Sequence, residues 1–356
     1  MNSTTFDSTI MKLNLRPFAL QLANPWKIAS SDGSSNHTVV IFELKDDDGI
    51  VGLGEAAPAS TYRETANGVM DFCHGLDATR LSFNDVAGST AWLDSLPGIP
   101  AAARCGLNIA LVDGAAKRAG KPIYDYLNLG FREKQHVTSF SIGIDTPDII
   151  RKKVLDADKY PVLKLKVGDP RDRANFEALR SVAPEKPVRV DANEGWKTKE
   201  HALEMLELLA KDGHIQFVEQ PMPRATSPKD LVWLKERSPL PLYADESCHN
   251  VHDIPHCAEC YHGVNVKLVK TGGISMAYDT LQAARKAGLK TMIGCMIETS
   301  VLISAAAHLA ELADHLDIDG NLLTTNDPYV GATAEKGIIS FADAEAMTGL
   351  RVSPRE

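Results

Sequence analysis

The chain has 356 residues, of which 44% are hydrophobic, and a formal net charge of −9 at pH 7. This length and apolar content are enough for one large barrel and a smaller domain, and they do not indicate disorder. The negative net charge argues against nucleic acid or an anionic membrane as the partner, because neither surface attracts an acidic protein. A small-molecule substrate is predicted instead.

The sequence also predicts a cytoplasmic location. The first residues lack a basic segment followed by an apolar stretch, and nowhere do eighteen apolar residues follow one another. The six cysteines are scattered without the density of a disulfide framework, so free thiols are expected.

Residues 1–130 have the pattern of an α+β domain. From about residue 13 to residue 55 the chain is strand-like, with a β-branched run after Thr38 and a turn at Asp46-Asp-Asp-Gly, which together predict an antiparallel hairpin. Helical patterning follows over residues 101–118. The tail, residues 325–356, is expected to complete this domain.

Residues 131–324 have the pattern of a modified TIM barrel, (β/α)7β. Strand-like runs recur, and helical patterns separate them. The eight predicted strands are residues 137–144, 162–167, 188–191, 216–219, 242–245, 263–267, 291–294 and 316–319.

Five charged residues close five successive predicted strands: Lys166, Asp191, Glu219, Asp245 and Lys267. The carboxyl ends of barrel strands meet at one mouth, so these side chains are expected to converge there. Three carboxylates suit a hard cation such as Mg²⁺, whereas the lack of cysteine and histidine in the trio argues against zinc. One Mg²⁺ ion per subunit is predicted.

The lysines indicate acid/base chemistry. Lys164 and Lys166 share one face of their strand, and a buried lysine beside a second cation and a metal has a pKa lowered towards neutrality, as a general base requires. Lys164 is therefore expected to tune Lys166. Lys267 lies four strands further on and is expected to face Lys166 across the mouth. Bases on opposite faces of one substrate can invert a stereocentre.

Several motifs resemble those of the muconate-lactonizing subgroup of the enolase superfamily, which also contains mandelate racemase. These are KxK at 164–166, DANEGW at 191–196, VEQP at 218–221, ADES at 244–247 and NVKLVKTGGI at 265–274. The resemblance covers nearly the whole chain. It implies a capping domain over a (β/α)7β barrel, Mg²⁺ held by Asp191, Glu219 and Asp245, and Lys166 and Lys267 as the acid/base pair.

Within this subgroup, Asp317-Ile-Asp319 resembles the DxD motif of dipeptide epimerases, whose two acids bind the α-ammonium of the substrate. Acids at positions i and i+2 of a strand also form an anionic fork suited to a primary amine. The resemblance implies a Mg²⁺-dependent epimerase that inverts the α-carbon of the C-terminal residue of a dipeptide through an enolate. The expected substrate-binding residues are Lys164, Asn193, Met296, Glu298, Asp317, Asp319, Ser31 and Asp32.

Residues 29–36 form a Ser/Gly-rich loop of the kind found in active-site lids. Epimerases that prefer an Ala-Glu dipeptide tend to carry an arginine in this loop, and this chain has none, with Ser31 as the nearest equivalent. Asp32 favours a neutral or cationic side chain on the substrate. Thr61 and Tyr62 are expected to form the other half of the cap. Which dipeptide is used stays open.

Other functions compete with this one. The same scaffold can carry a muconate cycloisomerase, an o-succinylbenzoate synthase or an N-acylamino acid racemase. A catalytically silent metal-binding barrel is the non-enzymatic alternative, with zinc on the His/Cys-rich residues 248–262, although that segment lacks a second CxxC and is expected to form an outer helix. The family resemblance suggests a homo-oligomer.

Overall fold

The computed structural model describes residues 11–29 and 31–356, without the side chains of residues 31, 32 and 34. The predicted substrate contacts of Ser31 and Asp32 therefore lie outside the described residues. Within the described part of the chain, no helix combines the length and apolar character needed to cross a membrane.

The N-terminal part is a three-stranded antiparallel sheet with four helices. A carbonyl oxygen of the longest helix approaches the third strand so closely that a Cβ on Gly54 would lie 2.0 Å from the Gly106 oxygen, so glycine is required there. The elements are β1 (Lys12–Ile28), β2 (Ser31–Lys45), β3 (Val51–Ala56), α1 (Ala66–His74), α2 (Val86–Asp94), α3 (Ala101–Arg118) and α4 (Ile123–Tyr126).

A short strand, β4 (His136–Val137), leads into the barrel, whose eight parallel strands are joined in sequence order. A bridge between Thr138 and Leu316 links the first and last barrel strands, so the sheet is nearly closed. The barrel strands are β5 (Phe140–Ile142), β6 (Leu163–Lys166), β7 (Val188–Asp191), β8 (Ile215–Glu219), β9 (Leu242–Ala244), β10 (Gly263–Lys267), β11 (Lys290–Gly294) and β12 (His315–Asp317).

Helices cover the outside of the barrel, and their buried faces pack on its strands. Two helices, the first of a single turn, connect β10 to β11. These helices are α5 (Pro147–Asp156), α6 (Asp172–Val182), α7 (Lys199–Ala210), α8 (Pro228–Arg237), α9 (Ile254–Cys260), α10 (Leu268–Thr271), α11 (Ile274–Lys286) and α12 (Ser300–Ala307). The predicted (β/α)7β barrel with an α+β N-terminal part is confirmed.

Two strand predictions differ from the structure. Residues 137–144 do not form one strand, because His136 and Val137 pair with the tail whereas Phe140 begins the barrel strand. The last strand ends at Asp317 instead of Asp319. Asp319 lies outside the strand because it begins the 3₁₀ turn over Gly320–Leu323 and accepts a hydrogen bond from the Ser141 amide.

The C-terminal tail contacts both the barrel and the N-terminal sheet. Its strands are β13 (Tyr329–Val330), β14 (Thr333–Glu335), β15 (Ile338–Ser340) and β16 (Ser353–Pro354). The buried Asp113 carboxylate of α3 accepts hydrogen bonds from the Leu350 amide of the tail and from the Leu53 amide of β3, both at 2.7 Å. One side chain therefore joins three segments.

Glu55 at the end of β3 connects the N-terminal sheet to the barrel. Its fully buried carboxylate accepts hydrogen bonds from the Thr299 amide at 2.9 Å and the Leu302 amide at 3.1 Å. These amides belong to the N-terminus of α12, where a negative charge is stabilising. Burial nevertheless raises the pKa of Glu55 to about 7.

We predict that His308, which follows α12, makes the free energy of unfolding depend on pH. Its ring stacks on Phe341 of the tail with centroids 4.5 Å apart, and burial lowers its pKa to about 3. Because the folded pKa lies below the unfolded value of 6.5, the stabilisation is lost as pH falls below 6.5. Between pH 6.5 and 4.5, we expect the free energy of unfolding to fall about 2 kcal/mol more in the wild type than in His308→Phe. Urea titrations measure both, and equal pH slopes would contradict this prediction.

Candidate active site

Three carboxylates meet at the barrel mouth. Asp191 and Glu219 end β7 and β8, and Asp245 directly follows β9. All three are buried, and their ligand oxygens lie within 4.8 Å of one another. These three side chains would hold one divalent cation between their oxygens.

The electrostatics of the cluster also fit a bound cation. The pKa of Glu219 is raised to about 7 by burial and by the neighbouring Asp191 carboxylate. Asn265 donates a hydrogen bond of 2.7 Å to one Glu219 oxygen and fixes its orientation. A divalent cation would stabilise the ionised form of a buried acid that lies among other acids. Three hard oxygens are the donors that Mg²⁺ prefers.

The two predicted base residues are near this cluster on opposite sides of the barrel. Lys166 Nζ lies 2.6 Å from Asp191 Oδ2, and Lys267 Nζ lies 2.8 Å from Asp245 Oδ2. Their strands, β6 and β10, are four places apart in the eight-stranded sheet. Both lysines line the same cavity.

Lys164 lies among acids, and its expected tuning of Lys166 stays a prediction. Lys164 Nζ contacts three carboxylates, those of Asp191 at 3.1 Å, Glu219 at 2.7 Å and Asp317 at 2.6 Å. Burial would lower the pKa of Lys164, but these acids raise it well above its usual value. The pKa of Lys267 is also raised, because Asp245 outweighs the effect of burial. Neighbouring carboxylates thus favour the charged forms of Lys164 and Lys267.

The cavity at the mouth has a volume of about 220 Å³ and lies between the barrel and the N-terminal part. Its polar wall comes from the barrel, and much of its apolar wall comes from β1, the residues after β11 and the 3₁₀ turn near residue 323. The apolar lining residues are Leu22, Trp26, Ile28, Met296, Ile297 and Leu323. Thr61 and Tyr62 line it as well, on the side of the cap.

Asp317 and Asp319 both line this cavity. Asp317 accepts a 2.6 Å hydrogen bond from the Ser139 hydroxyl and pairs with Lys164, which overcomes burial and lowers its pKa to about 2. Asp319 accepts a 2.7 Å hydrogen bond from the Ser141 amide, and burial together with Asp317 raises its pKa to about 6. Among the side chains that the structure describes, Lys164 forms an ion pair with Asp317 but none forms one with Asp319, which suits an incoming ammonium group.

The remaining predicted substrate-binding residues divide into two groups. Asn193 and Met296 line the cavity, and the Asn193 amide donates to Asp191 Oδ1 at 2.9 Å. Glu298 is not a lining residue. Its buried carboxylate accepts the Met296 amide at 2.8 Å, so it shapes the loop that carries Met296.

Sequence reasoning missed several residues of the site. Lys270 donates to Asp245 Oδ1 at 2.5 Å and lies only three positions after Lys267, so strand alternation gave no signal for it. Glu246 and His37 line the cavity, and buried polar atoms of both side chains lack a hydrogen-bond partner among the described residues. The Glu246 signal was present in the ADES motif, whereas nothing local marks His37.

The alternative zinc site over residues 248–262 has no support in the geometry. Among the described residues, the carboxylate trio is the one group of three or more acidic, His or Cys side chains arranged to hold a metal. Cys257 instead donates to the Ser247 carbonyl, and Cys260 lies 3.7 Å from His256 Nδ1.

Family models match both parts of the chain. Residues 11–128 match the N-terminal domain of mandelate racemase and muconate lactonizing enzyme, and residues 150–335 match the enolase C-terminal domain-like family. The chain belongs to the mandelate racemase/muconate lactonizing enzyme group of the enolase superfamily. The resemblance inferred from the five motifs is thus confirmed.

Several proteins similar to this chain are epimerases. An L-Ala-D/L-amino acid epimerase of Pedosphaera parvula is 65% identical over 344 residues, which are 96% of this chain and 99% of the relative. A dipeptide epimerase from Enterococcus faecalis complexed with Mg and L-Leu-L-Tyr matches with a TM-score of 0.88 and 28% identity over 97% of this chain and 99% of that one. A dipeptide epimerase from Cytophaga hutchinsonii complexed with Mg and D-Ala-L-Val matches with a TM-score of 0.90 and 26% identity over 98% and 96%.

Proposed function

We propose that this chain is a Mg²⁺-dependent dipeptide epimerase that inverts the α-carbon of the C-terminal residue. The observation that carries the proposal is the pair of lysines, Lys166 and Lys267, which line one cavity from strands on opposite sides of the barrel. Two such bases can reach opposite faces of a single α-carbon, which is the requirement for inversion by proton removal and return.

Asp191, Glu219 and Asp245 would hold the metal. When bound, Mg²⁺ supplies positive charge that stabilises the enolate form of the substrate carboxylate and offsets the negative charge that the three ligands exert on the lysines. Asn265 orients Glu219, and Lys270 orients Asp245.

The lysines exchange roles between the two directions of the reaction. In one direction the neutral Nζ of one lysine takes the α-proton, so that the C–H bond breaks and an N–H bond forms. The ammonium of the other lysine then donates a proton to the opposite face of the same carbon. After turnover the two lysines have swapped protonation states, and the reverse direction restores them.

Asp317 and Asp319 would bind the α-ammonium of the substrate. Lys164 already pairs with Asp317, whereas Asp319 has no cation. An ammonium receptor has no purpose in a cycloisomerase, an o-succinylbenzoate synthase or an N-acylamino acid racemase, whose substrates lack a free α-amine. The fork therefore favours a dipeptide over these alternatives.

Replacing Asp319 tests the ammonium receptor. Asp319→Asn keeps an oxygen for the Ser141 amide but removes the charge, so kcat/KM for a free dipeptide should fall about 10- to 100-fold, as the loss of a charge-assisted hydrogen bond implies. The same dipeptide with an acetylated amino group provides the control, because the wild type and the variant should process it equally poorly. An equal loss on both substrates would rule out this role.

The second residue of the substrate is proposed to be neutral. The only cationic side chains along the described cavity wall, apart from His37, are three lysines, and each contacts a carboxylate of the cluster or Asp317. The loop over residues 29–36 adds no lysine or arginine. An acidic substrate side chain would thus enter without a partner, whereas the apolar wall suits a hydrophobic one.

Chiral chromatography of a dipeptide panel with Mg²⁺ tests the function and the preference together. We expect L-Ala dipeptides with neutral second residues to epimerise faster than L-Ala-L-Glu. Lack of epimerisation across the whole panel would contradict the proposed function, and preference for L-Ala-L-Glu would contradict only the assigned specificity.

Three further properties are proposed. The division into a cap of residues 1–130 with 325–356 and a barrel of residues 131–324 agrees with the hydrogen bond between Leu350 of the tail and Asp113 of α3. A cytoplasmic location agrees with the six free cysteines. A homo-oligomeric state rests on family resemblance alone.

A further inference from the structure

Tyr62 lies where the cap meets the barrel mouth. It ends a 3₁₀ turn, Ser60–Tyr62, between β3 and α1, and the next residue, Arg63, has a left-handed backbone with φ of 59°. A left-handed conformation at a long side chain is unfavourable and persists only where the surroundings hold it. The surroundings therefore hold the backbone of this turn.

Two residues of the barrel hold the ring. The Arg224 guanidinium carbon lies 5.7 Å from the Tyr62 ring centroid, and the His249 ring meets Tyr62 edge-on with centroids 5.3 Å apart. Glu194 fixes Arg224 through hydrogen bonds to Nε at 3.1 Å, to Nη2 at 2.9 Å and to the amide at 2.6 Å. His249 is in turn hydrogen-bonded to the Glu246 carbonyl at 3.1 Å.

The residues that hold Tyr62 belong to the loops of the carboxylate cluster. Glu194 is three positions after Asp191, Arg224 follows β8, which ends in Glu219, and His249 is four positions after Asp245. One aromatic ring of the cap thus contacts two of these loops directly and reaches the third through Arg224.

Tyr62 also separates two cavities. A second cavity, of about 320 Å³, lies beside the active-site cavity, and both are lined by Ala59, Thr61 and Tyr62. The exposed Arg63 lines the second cavity, which gives solvent a way in.

Lys267 is the base on this side of the site. Asp245 pairs with Lys267 in the active-site cavity and with Lys270, which lines the second cavity. Tyr62 and Lys267 line the active-site cavity together. The wall formed by Tyr62 therefore stands between Lys267 and the second cavity.

We propose that Tyr62 is a positioning residue for the Lys267 half of the reaction, which it serves by keeping Lys267 and Asp245 packed and closed off from the second cavity. The proposal rests on the proposed epimerase function. Entry of water would solvate the lysine and the developing charge, and loosened packing would move the base away from the α-carbon. Lys270, which pairs with Asp245 on the Lys267 side, lines the second cavity, whereas Lys166 and Asp191 do not.

Single-base variants separate the two halves. In Lys166→Ala only Lys267 can exchange the α-proton with D₂O, and in Lys267→Ala only Lys166 can do so. Adding Tyr62→Ala should slow deuterium incorporation about 10-fold in the Lys166→Ala protein and change it little in the Lys267→Ala protein. Adding Tyr62→Phe, which keeps the ring, should leave both rates nearly unchanged.

Arg224→Lys provides a second variant that keeps Tyr62 and a cation for Glu194 but removes the planar guanidinium from the ring. Like Tyr62→Ala, it should slow deuterium incorporation in the Lys166→Ala protein, but less strongly. If Tyr62→Ala slowed deuterium incorporation equally in both single-lysine proteins, Tyr62 would have a general structural role and the proposal would be overturned. The proposal would also be overturned if Tyr62→Ala slowed neither protein, or if Tyr62→Phe slowed incorporation as much as Tyr62→Ala. Lack of exchange in both parent variants with every dipeptide would overturn the epimerase function itself, and this proposal with it.

Discussion

Lys267→Ala should abolish epimerisation. Loss of a general acid/base group lowers rates by about 10²- to 10⁴-fold, and inversion needs a base on each face, so the other lysine cannot substitute. The fold should survive, because Asp245 keeps its hydrogen bond from Lys270 after Lys267 is removed. The measurement is the rate of appearance of the second diastereomer, followed by chiral chromatography with saturating Mg²⁺.

Lys290→Ala is the matched control for this loss. Lys290 begins β11, is largely exposed and pairs with Asp314 at 2.9 Å. Its replacement should leave the rate within a factor of two, because exposed ion pairs contribute little. Epimerisation by Lys267→Ala at a rate near that of the wild type would contradict the two-base mechanism.

Glu219→Gln should remove metal binding while it preserves the fold. The pKa of Glu219 is already raised to about 7 because the side chain is buried beside Asp191. A neutral amide of the same shape therefore costs little in the metal-free protein and relieves repulsion. Mg²⁺, in contrast, loses an anionic ligand, so its affinity should fall by about 100-fold or more, at about 1.4 kcal/mol per tenfold change.

Calorimetric titration of Mg²⁺ and the rise in Tm on adding Mg²⁺ measure this effect without reference to activity. Glu55→Gln is the matched control, since Glu55 is also a fully buried glutamate with a pKa of about 7 but lies at the N-terminus of α12. Glu55→Gln should bind Mg²⁺ as the wild type does. Unchanged Mg²⁺ affinity in Glu219→Gln would mean that the carboxylate trio is not the metal site.

The barrel and its catalytic mouth could be predicted because their signals are local. Each of the eight strands is a short apolar run, and five of them end in a charged residue that an ordinary core strand would not carry. The topology of a parallel barrel then brings these ends together without any information on side-chain contacts. For the same reason, the lysines on β6 and β10 could be assigned to opposite sides.

Interactions between the strands could not be predicted in the same way. The contact of Lys164 with Asp191, Glu219 and Asp317 joins residues far apart in sequence, and these acids raise the pKa of Lys164. Lys270 was missed because it lies on the one-turn helix α10, where strand alternation does not apply.

The walls contributed by the cap were the least predictable part of the site. Trp26, Ile28 and His37 belong to antiparallel strands whose pattern indicates a half-buried sheet, and their contact with the mouth depends on how the N-terminal part packs on the barrel. Tyr62 was predicted as part of the cap, but its contacts with Arg224 and His249 have no signature in the sequence.

Deuterium exchange in the two single-lysine variants is the most direct test of the central claim. Lys166→Ala and Lys267→Ala are each incubated with Mg²⁺ in D₂O. Each variant receives the two diastereomers of one accepted dipeptide in separate reactions. We predict that each variant incorporates α-deuterium into only one diastereomer, that the two variants differ in which one, and that neither inverts the centre. Incorporation into the same diastereomer by both variants, or into both diastereomers by either one, would contradict the assignment of the two lysines to opposite faces of the substrate.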